Sequence, residues 1–297
     1  MLKYRGHEND YAESCELHLA VSMDNPQRLS DLLCIERYKK IIDSRSGWGV
    51  PVTPLRLAAS RGSLECLKIL LANGAEVDTL DVKAQTPLFA AVNGGHFDCV
   101  RELLKAGANP CGSVYNNCSP VLTASRDGNA KILKELLDYG ADSNVRSKMT
   151  NRTTSSTSCT GPLYLAAAYG HLECFKTILH YGAEPNYNCT DQELLKTIKH
   201  PITVLEMCLK HCCASHFVKL LIEFGANVYL PDIHVNKSLP NSYSLELLAR
   251  ERECPRSLIS QCRITIRRIL KQVGRLHLIE QLEIPLRLVR YLQHHND

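Results

Sequence analysis

The sequence predicts an all-α chain: a stack of short helix–turn–helix units followed by a short helical tail. Three observations lead there. Four stretches repeat at a common step, a Gly-Ala pair closes each of them, and positive charge collects after the last one. "TPLRLAASRGSLECLKILLANGAEV" starts at Thr53, "TPLFAAVNGGHFDCVRELLKAGANP" at Thr86 and "SPVLTASRDGNAKILKELLDYGADS" at Ser119, in steps of 33 residues. "GPLYLAAAYGHLECFKTILHYGAEP" starts at Gly161, one step plus nine residues. Self-similarity at this period marks stacked repeats, each of which buries its apolar face only against a neighbour.

Each element follows from its residues. Thr53-Pro54 and Thr86-Pro87 open the first helix, because Thr accepts from an unpaired helical N–H and Pro suits the first helical position. Alanines such as Ala58 and Ala59 allow the paired helices to approach closely. Gly74, Gly107, Gly140 and Gly182 end the second helix, where a left-handed residue is needed. A weaker copy ends in Gly225-Ala226, and a degenerate first copy starts near Glu16. The expected organisation is an N-terminal arm over 1–15 and about six repeats over 16–235, with polar inserts near 144–160 and 187–202. A linker and helix follow over 236–253, then the tail over 254–297.

The repeat unit resembles the ankyrin repeat over roughly Glu16–Tyr229. That resemblance implies a solenoid with β-turn fingers near Arg45–Val52, Thr79–Gln85 and Pro110–Cys118. Trp48, Asp81, Lys83, Tyr115 and Asn116 fall in these fingers and are candidate contacts for a protein target. Trp48, the only tryptophan, has a second reading, as packing that closes the end of the stack. His96 and His171 follow a glycine in the inter-helix turn, where the family's histidine ties the turn by hydrogen bonds.

The chain carries a formal net charge of +4, with 35 Lys/Arg and 31 Asp/Glu. From Cys254 onward there are eight Lys/Arg and three Asp/Glu, so the remainder is nearly neutral. The tail therefore has a separate job. Its arginines accompany a full apolar face without interleaved aromatics, which argues against nucleic acid. No run of about 18 apolar residues argues for a membrane span. The start shows no signal-peptide core, so the 14 cysteines are expected reduced in a cytoplasmic setting that extends to the nucleus. Cys66, Cys99 and Cys174 share one repeat position with Ile132, which makes it a packing position rather than a metal site. The cluster Cys208, His211, Cys212, Cys213 and His216 lies within a single repeat unit, whereas four zinc ligands usually come as two separated pairs. No phosphate loop, His-Glu-x-x-His helix or nucleophile elbow occurs, so neither a cofactor nor intrinsic catalysis is expected.

In the tail, "SYSLELLARERE" reads as a helix. Pro255 and Ser257 then signal a start and Gly274 a stop. Leu258, Ile259, Cys262, Ile266, Ile269 and Leu270 make an apolar stripe across about four turns. Arg263, Arg267, Arg268 and Lys271 fall mostly away from it and are expected on the solvated side. The tail resembles a three-helix SOCS box. Ser257-Leu258, Cys262 and Ile266 match the family's elongin-binding element. Ile279, Leu282, Ile284, Pro285, Leu288, Tyr291 and Leu292 match its cullin-binding element, with Glu283 where the first proline usually stands. The resemblance implies elongin C and elongin B as partners. Leu258, Cys262 and Ile266 would contact elongin C. Leu282, Ile284, Pro285 and Leu288 would reach cullin-5 with its RING-box subunit. On that reading the chain is a non-catalytic substrate receptor of a ubiquitin ligase. The alternative is an ankyrin scaffold whose tail only caps the stack.

Overall fold

The computed structural model describes residues 5–46, 51–115, 119–145, 161–186, 202–230, 242–274 and 276–294. Its elements are helical, and among the described residues the one extended pairing is an antiparallel bridge between Ser46 and Val52. Trp48, Asn116, most of the two inserts and residues 236–241 of the linker lie outside the described residues. The chain divides into two compact units, residues 1–124 with 131–142, and 125–130 with 143–297.

The first unit begins with α1 (Arg5–Ser22) and α2 (Pro26–Leu33), the degenerate first repeat. Helix α1 starts at Arg5, so most of the expected N-terminal arm is helical. The apolar spacing Leu17, Ala20, Val21 marks only its buried C-terminal half, which is why the sequence placed the start near Glu16. A one-turn α3 (Glu36–Lys39) follows. Regular repeats come next: α4 (Pro54–Arg61) with α5 (Leu64–Ala72), and α6 (Pro87–Gly94) with α7 (Phe97–Lys105). Helices α8 (Pro120–Asp127) and α9 (Ala130–Asp138) follow in the chain, with residues 125–130 assigned to the second unit.

The expected caps are in place. Thr53 Oγ1 accepts from Arg56 N at 3.3 Å and Thr86 Oγ1 from Phe89 N at 3.2 Å. At each second-helix end the alanine N–H reaches back five residues, as Ala75 N does to Leu70 O at 3.1 Å, and Gly74 takes φ 87° to permit it. The core is aliphatic and small: Leu55, Ala58, Ala59, Cys66, Leu67 and Leu70 are fully buried, and their counterparts recur one repeat on. Cys66, Cys99 and Ile132 are buried at equivalent places. Burial and nearby carboxylates push the Cys66 and Cys99 thiols up to about 11.

In the second unit, α10 (Pro162–Ala168) and α11 (Leu172–His180) form one pair. Helices α12 (Val204–Lys210) and α13 (Ser215–Glu223) form the next. Phe175, fully buried, meets Phe217 edge-on with ring centroids 4.9 Å apart, a favoured aromatic arrangement. Helix α14 (Ser242–Glu253) packs on α13. The tail is α15 (Leu258–Gln272), a 3-10 segment η1 (Leu276–Gln281) and α16 (Leu286–Leu292). Ile279, Val289 and Leu292 form its small core, with Leu270, Leu276 and Leu282 against them.

Two further devices join neighbouring repeats. His96 Nε2 pairs with Ser60 O at 3.1 Å, and His171 Nε2 with Arg126 O at 2.9 Å. A Cβ built on Gly62 would stand 2.4 Å from the His96 ring, and one on Gly128 2.5 Å from the His171 ring. The histidine therefore needs the earlier glycine for room as well as for its turn. The second device is a side-chain acceptor that holds the next repeat's backbone. In the first unit Asp43 accepts from Glu76 N at 3.1 Å and Asp78 from Asn109 N at 3.1 Å. In the second, Asn144 accepts from Glu184 N at 2.8 Å and Asn186 from Asn227 N at 2.7 Å.

Candidate partner-binding surface

Helix α15 starts where its sequence says: Ser257 Oγ accepts from Ser260 N at 3.3 Å, a side-chain cap. Two of its four basic residues depart from the expectation, while Arg268 and Lys271 are exposed as expected. Arg263 and Arg267 are buried, at 7% and 8% exposure, while Leu258 and Ile259 are 75% and 65% exposed. Cys262, Ile266, Ile269 and Val273 continue the open apolar row.

The reason lies in what α15 rests on. The ends of helices leave backbone carbonyls without intrahelical partners, and that end carries partial negative charge. Arg267 supplies the donors. Its guanidinium donates to Leu179 O at 3.2 Å and His180 O at 3.0 Å, both at the end of α11, and to Leu292 O of α16 at 2.9 Å. It also lies 5.0 Å over the Phe224 ring, and Arg263 lies 4.6 Å over the Tyr291 ring. Burial, helped by the charge of Arg263, pulls Arg267 down to about 10, so it stays protonated at neutral pH. A buried cation is tolerated only when paired or hydrogen-bonded; three carbonyls and an aromatic face provide that.

The glycines of the last two repeats seat the tail. A Cβ on Gly182 would fall 2.7 Å from Leu276 Cδ2, and one on Gly225 3.1 Å from Ile264 Cγ2. Nearby, Arg256 donates to Ala226 O, and Arg252 donates to Val228 O at 2.8 Å. The tail thus grips the repeats largely through main-chain oxygens. With Arg263 and Arg267 spent inward, α15 keeps its apolar row outward.

A second exposed apolar set follows η1. Ile284 is 37%, Leu286 64% and Leu288 50% exposed, and Pro285 is also exposed. Leu282 belongs instead to the edge of the tail's own core. Ile259, Ile269, Val273 and Leu286 were not singled out as partner residues from sequence. The 3.6-residue period of α15 holds the signal for the first two, which belong to the same apolar stripe as Leu258, Cys262 and Ile266.

In the finger over 79–85, Asp81 N donates to Gln85 O at 3.0 Å, and Ala84 takes φ 55°. Asp81 departs from its expected role as a target contact. Its carboxylate has no exposed surface, sits 2.9 Å from Arg56 Nε, and accepts from Lys83 N at 2.7 Å and Gln85 N at 2.8 Å. It shapes the loop. Lys83 is exposed, and so is Val82 beside it at 59%. Tyr115 is 78% exposed, next to Val114 at 63%. The two valines are additions to the candidate surface, and an apolar residue at a turn tip was their only sequence signal. Among the described residues no three His, Cys, Asp or Glu side chains converge to hold a metal ion. No described helix is long and apolar enough to cross a membrane.

Comparison with known proteins agrees with this build. Family models for ankyrin repeats match residues 17–113 and 109–189, and the SOCS box model matches 254–293. The chain is 61% identical to Ankyrin repeat and SOCS box protein 12 of Homo sapiens, covering 97% of this chain and 93% of that protein. It is 46% identical to Ankyrin repeat and SOCS box protein 1 of Mus musculus, covering 96% and 90%. A crystal structure of the human ASB11 ankyrin repeat domain superposes with a TM-score of 0.59 at 25% identity, over 81% of this chain and 99% of that one. Repeats, tail and these likenesses together place the chain in the ankyrin repeat and SOCS box family, whose build is that of a generally non-catalytic substrate adaptor for ubiquitin ligation.

Proposed function

We propose that this chain is the substrate receptor of an elongin B/C–cullin-5–RING ubiquitin ligase. The observation that carries the reading is the open row Leu258, Cys262 and Ile266 on α15, backed by two buried arginines. A tail that served only to cap the repeats would turn its leucines and isoleucines inward. This one keeps Leu258 three-quarters exposed, and exposed apolar rows of this kind mark partner sites. Leu258 enters an apolar pocket on elongin C, with Cys262 and Ile266 flanking it. Elongin B joins through elongin C. Ile284, Pro285 and Leu288 face the cullin, and Leu282 supports them from the tail's core.

The fingers carry the target, through Lys83 and Tyr115 with Val82 and Val114 beside them; Trp48 and Asn116 extend the same surface by sequence position. The chain supplies proximity. It holds a target lysine near a conjugating enzyme, and the gain comes from converting a bimolecular encounter into a local one. Replacing Leu258 and Cys262 together with Ala tests the elongin step. The double variant should lose co-elution with elongin B and elongin C while its helical circular dichroism stays that of the parent. Undiminished co-elution would sink the assignment.

A further inference from the structure

The turn between α12 and α13 carries chemistry that its counterparts lack. In three other repeats the first helix ends by one device. The N–H of Ser63, His96 or His171 donates to the carbonyl of Ala58, Ala91 or Ala166, at 3.0, 3.0 and 2.8 Å. A left-handed glycine precedes each of those amides: Gly62, Gly95 and Gly170, at φ 75°, 73° and 78°. At α12 the same bond runs from Cys213 N to Cys208 O at 2.9 Å, and Cys212 holds the left-handed place at φ 53°. Alanine, glycine and serine-or-histidine have become three cysteines. This helix ending brings the side chains of its two bonded residues together, and the Cys208 and Cys213 side chains are hydrogen-bonded to each other. Cys208 is 1% exposed, Cys213 is half-buried and Cys212 is exposed.

We propose that Cys208 and Cys213 are a two-electron oxidation site for a hydroperoxide, closing a disulfide across this turn. The Cys213 thiolate attacks the terminal peroxide oxygen. An S–O bond forms, the O–O bond breaks, and the departing alkoxide takes up a proton. The resulting sulfenic acid is resolved by Cys208: an S–S bond forms, and the hydroxyl leaves as water with the Cys208 proton. Two thiols are oxidised and one hydroperoxide is reduced to an alcohol and water. Cys213 is the attacking sulfur because its reach to solvent exceeds that of Cys208. The hydrogen bond from Cys208 also draws its thiol down to about 7, whereas burial holds Cys174 in the neighbouring repeat up at about 11. Thiolate character and access select which cysteine a peroxide meets first.

Trypsin separates the pair, because Lys210 lies between them. The full chain, in complex with elongin B and elongin C, is exposed to graded hydrogen peroxide, alkylated, digested and analysed without reduction. The expected product joins peptides 200–210 and 211–219 through one disulfide, forms before Cys254 is oxidised, and disappears with dithiothreitol. Cys212→Ser should retain that product, and Cys213→Ser should lose it while melting within a few degrees of the parent. Oxidation of Cys254 with no linked peptide overturns the proposal, as does loss of the link in Cys212→Ser or its survival in Cys213→Ser.

Discussion

Arg267 offers the sharpest test of how the tail is held. Arg267→Ala removes donors from Leu179 O, His180 O and Leu292 O and strips the cation from the Phe224 ring. A hydrogen bond to a charged group contributes about 1.5–3 kcal/mol. Three such bonds sum to about 4.5–9 kcal/mol, partly offset because Ala also relieves the desolvation of the buried cation. We take about 3–5 kcal/mol as the expected loss. That opens the tail at least a hundredfold more often, at about 1.4 kcal/mol per factor of ten. Amide hydrogen exchange reads it directly: protection over 258–292 should fall by that factor, while protection over 54–105 stays unchanged. The contrast lies on the same helix. Leu258→Ala removes a larger apolar surface by composition, yet it is 75% exposed and should cost within about 0.5 kcal/mol. Arg267→Lys should fall between, because one ammonium cannot span three carbonyls with the guanidinium's fixed fork. If Arg267→Ala leaves exchange unchanged and Leu258→Ala unprotects the tail, the inside-out reading of α15 is wrong.

Other expectations follow from the same geometry. Gly182→Ala should destabilise the tail by about 1–3 kcal/mol, measurable by urea unfolding, because its Cβ would stand 2.7 Å from Leu276 Cδ2 at a left-handed backbone. His96→Ala should cost about 1–2 kcal/mol in thermal melts through the lost tie to Ser60 O. Replacing Ile284 and Pro285 together with Ala should abolish cullin-5 recruitment while elongin C still binds, and intact recruitment in pull-downs would falsify the cullin assignment. The Cys66, Cys99 and Cys174 thiols, raised to about 11 by burial, set an alkaline limit. Unfolded thiols ionise near about 8.5, so the folded state binds more protons between there and about 11. Stability present below that window should fall as pH rises through it, and replacing the three with Val should flatten the decline.

Much of the fold was legible because repeats state their own rules. Thr53 and Thr86 cap, Gly74 and Gly107 end helices, and the exchange of Cys66 and Cys99 for Ile132 marks a buried position without any knowledge of its neighbours. The candidate site was legible as residues but not as faces. In α15 the apolar stripe and the arginines were both visible, and charge alone assigned Arg263 and Arg267 to the solvated side. What decided otherwise was the line of carbonyls at the end of α11, some ninety residues earlier in the chain. Main-chain acceptors have no letter in a sequence, so no reading of α15 by itself could find them. Asp81 failed for a related reason. A carboxylate in a finger looks like a surface charge until Arg56 and two loop amides turn it inward. The clamps made by Asp43, Asp78, Asn144 and Asn186 carry no local signal, since each acts on the backbone of the following repeat.

The attachment through Leu179 O, His180 O, Ala226 O and Val228 O has a consequence for how such a receptor changes over time. Every residue at these places offers the same oxygen in the same position, provided the helix still ends there. Substitutions that retune the repeats' outer side chains therefore leave the tail's footing as it was. The ligase end and the recognition end can drift at different rates on one chain, because the seam between them is written in peptide groups rather than in side chains.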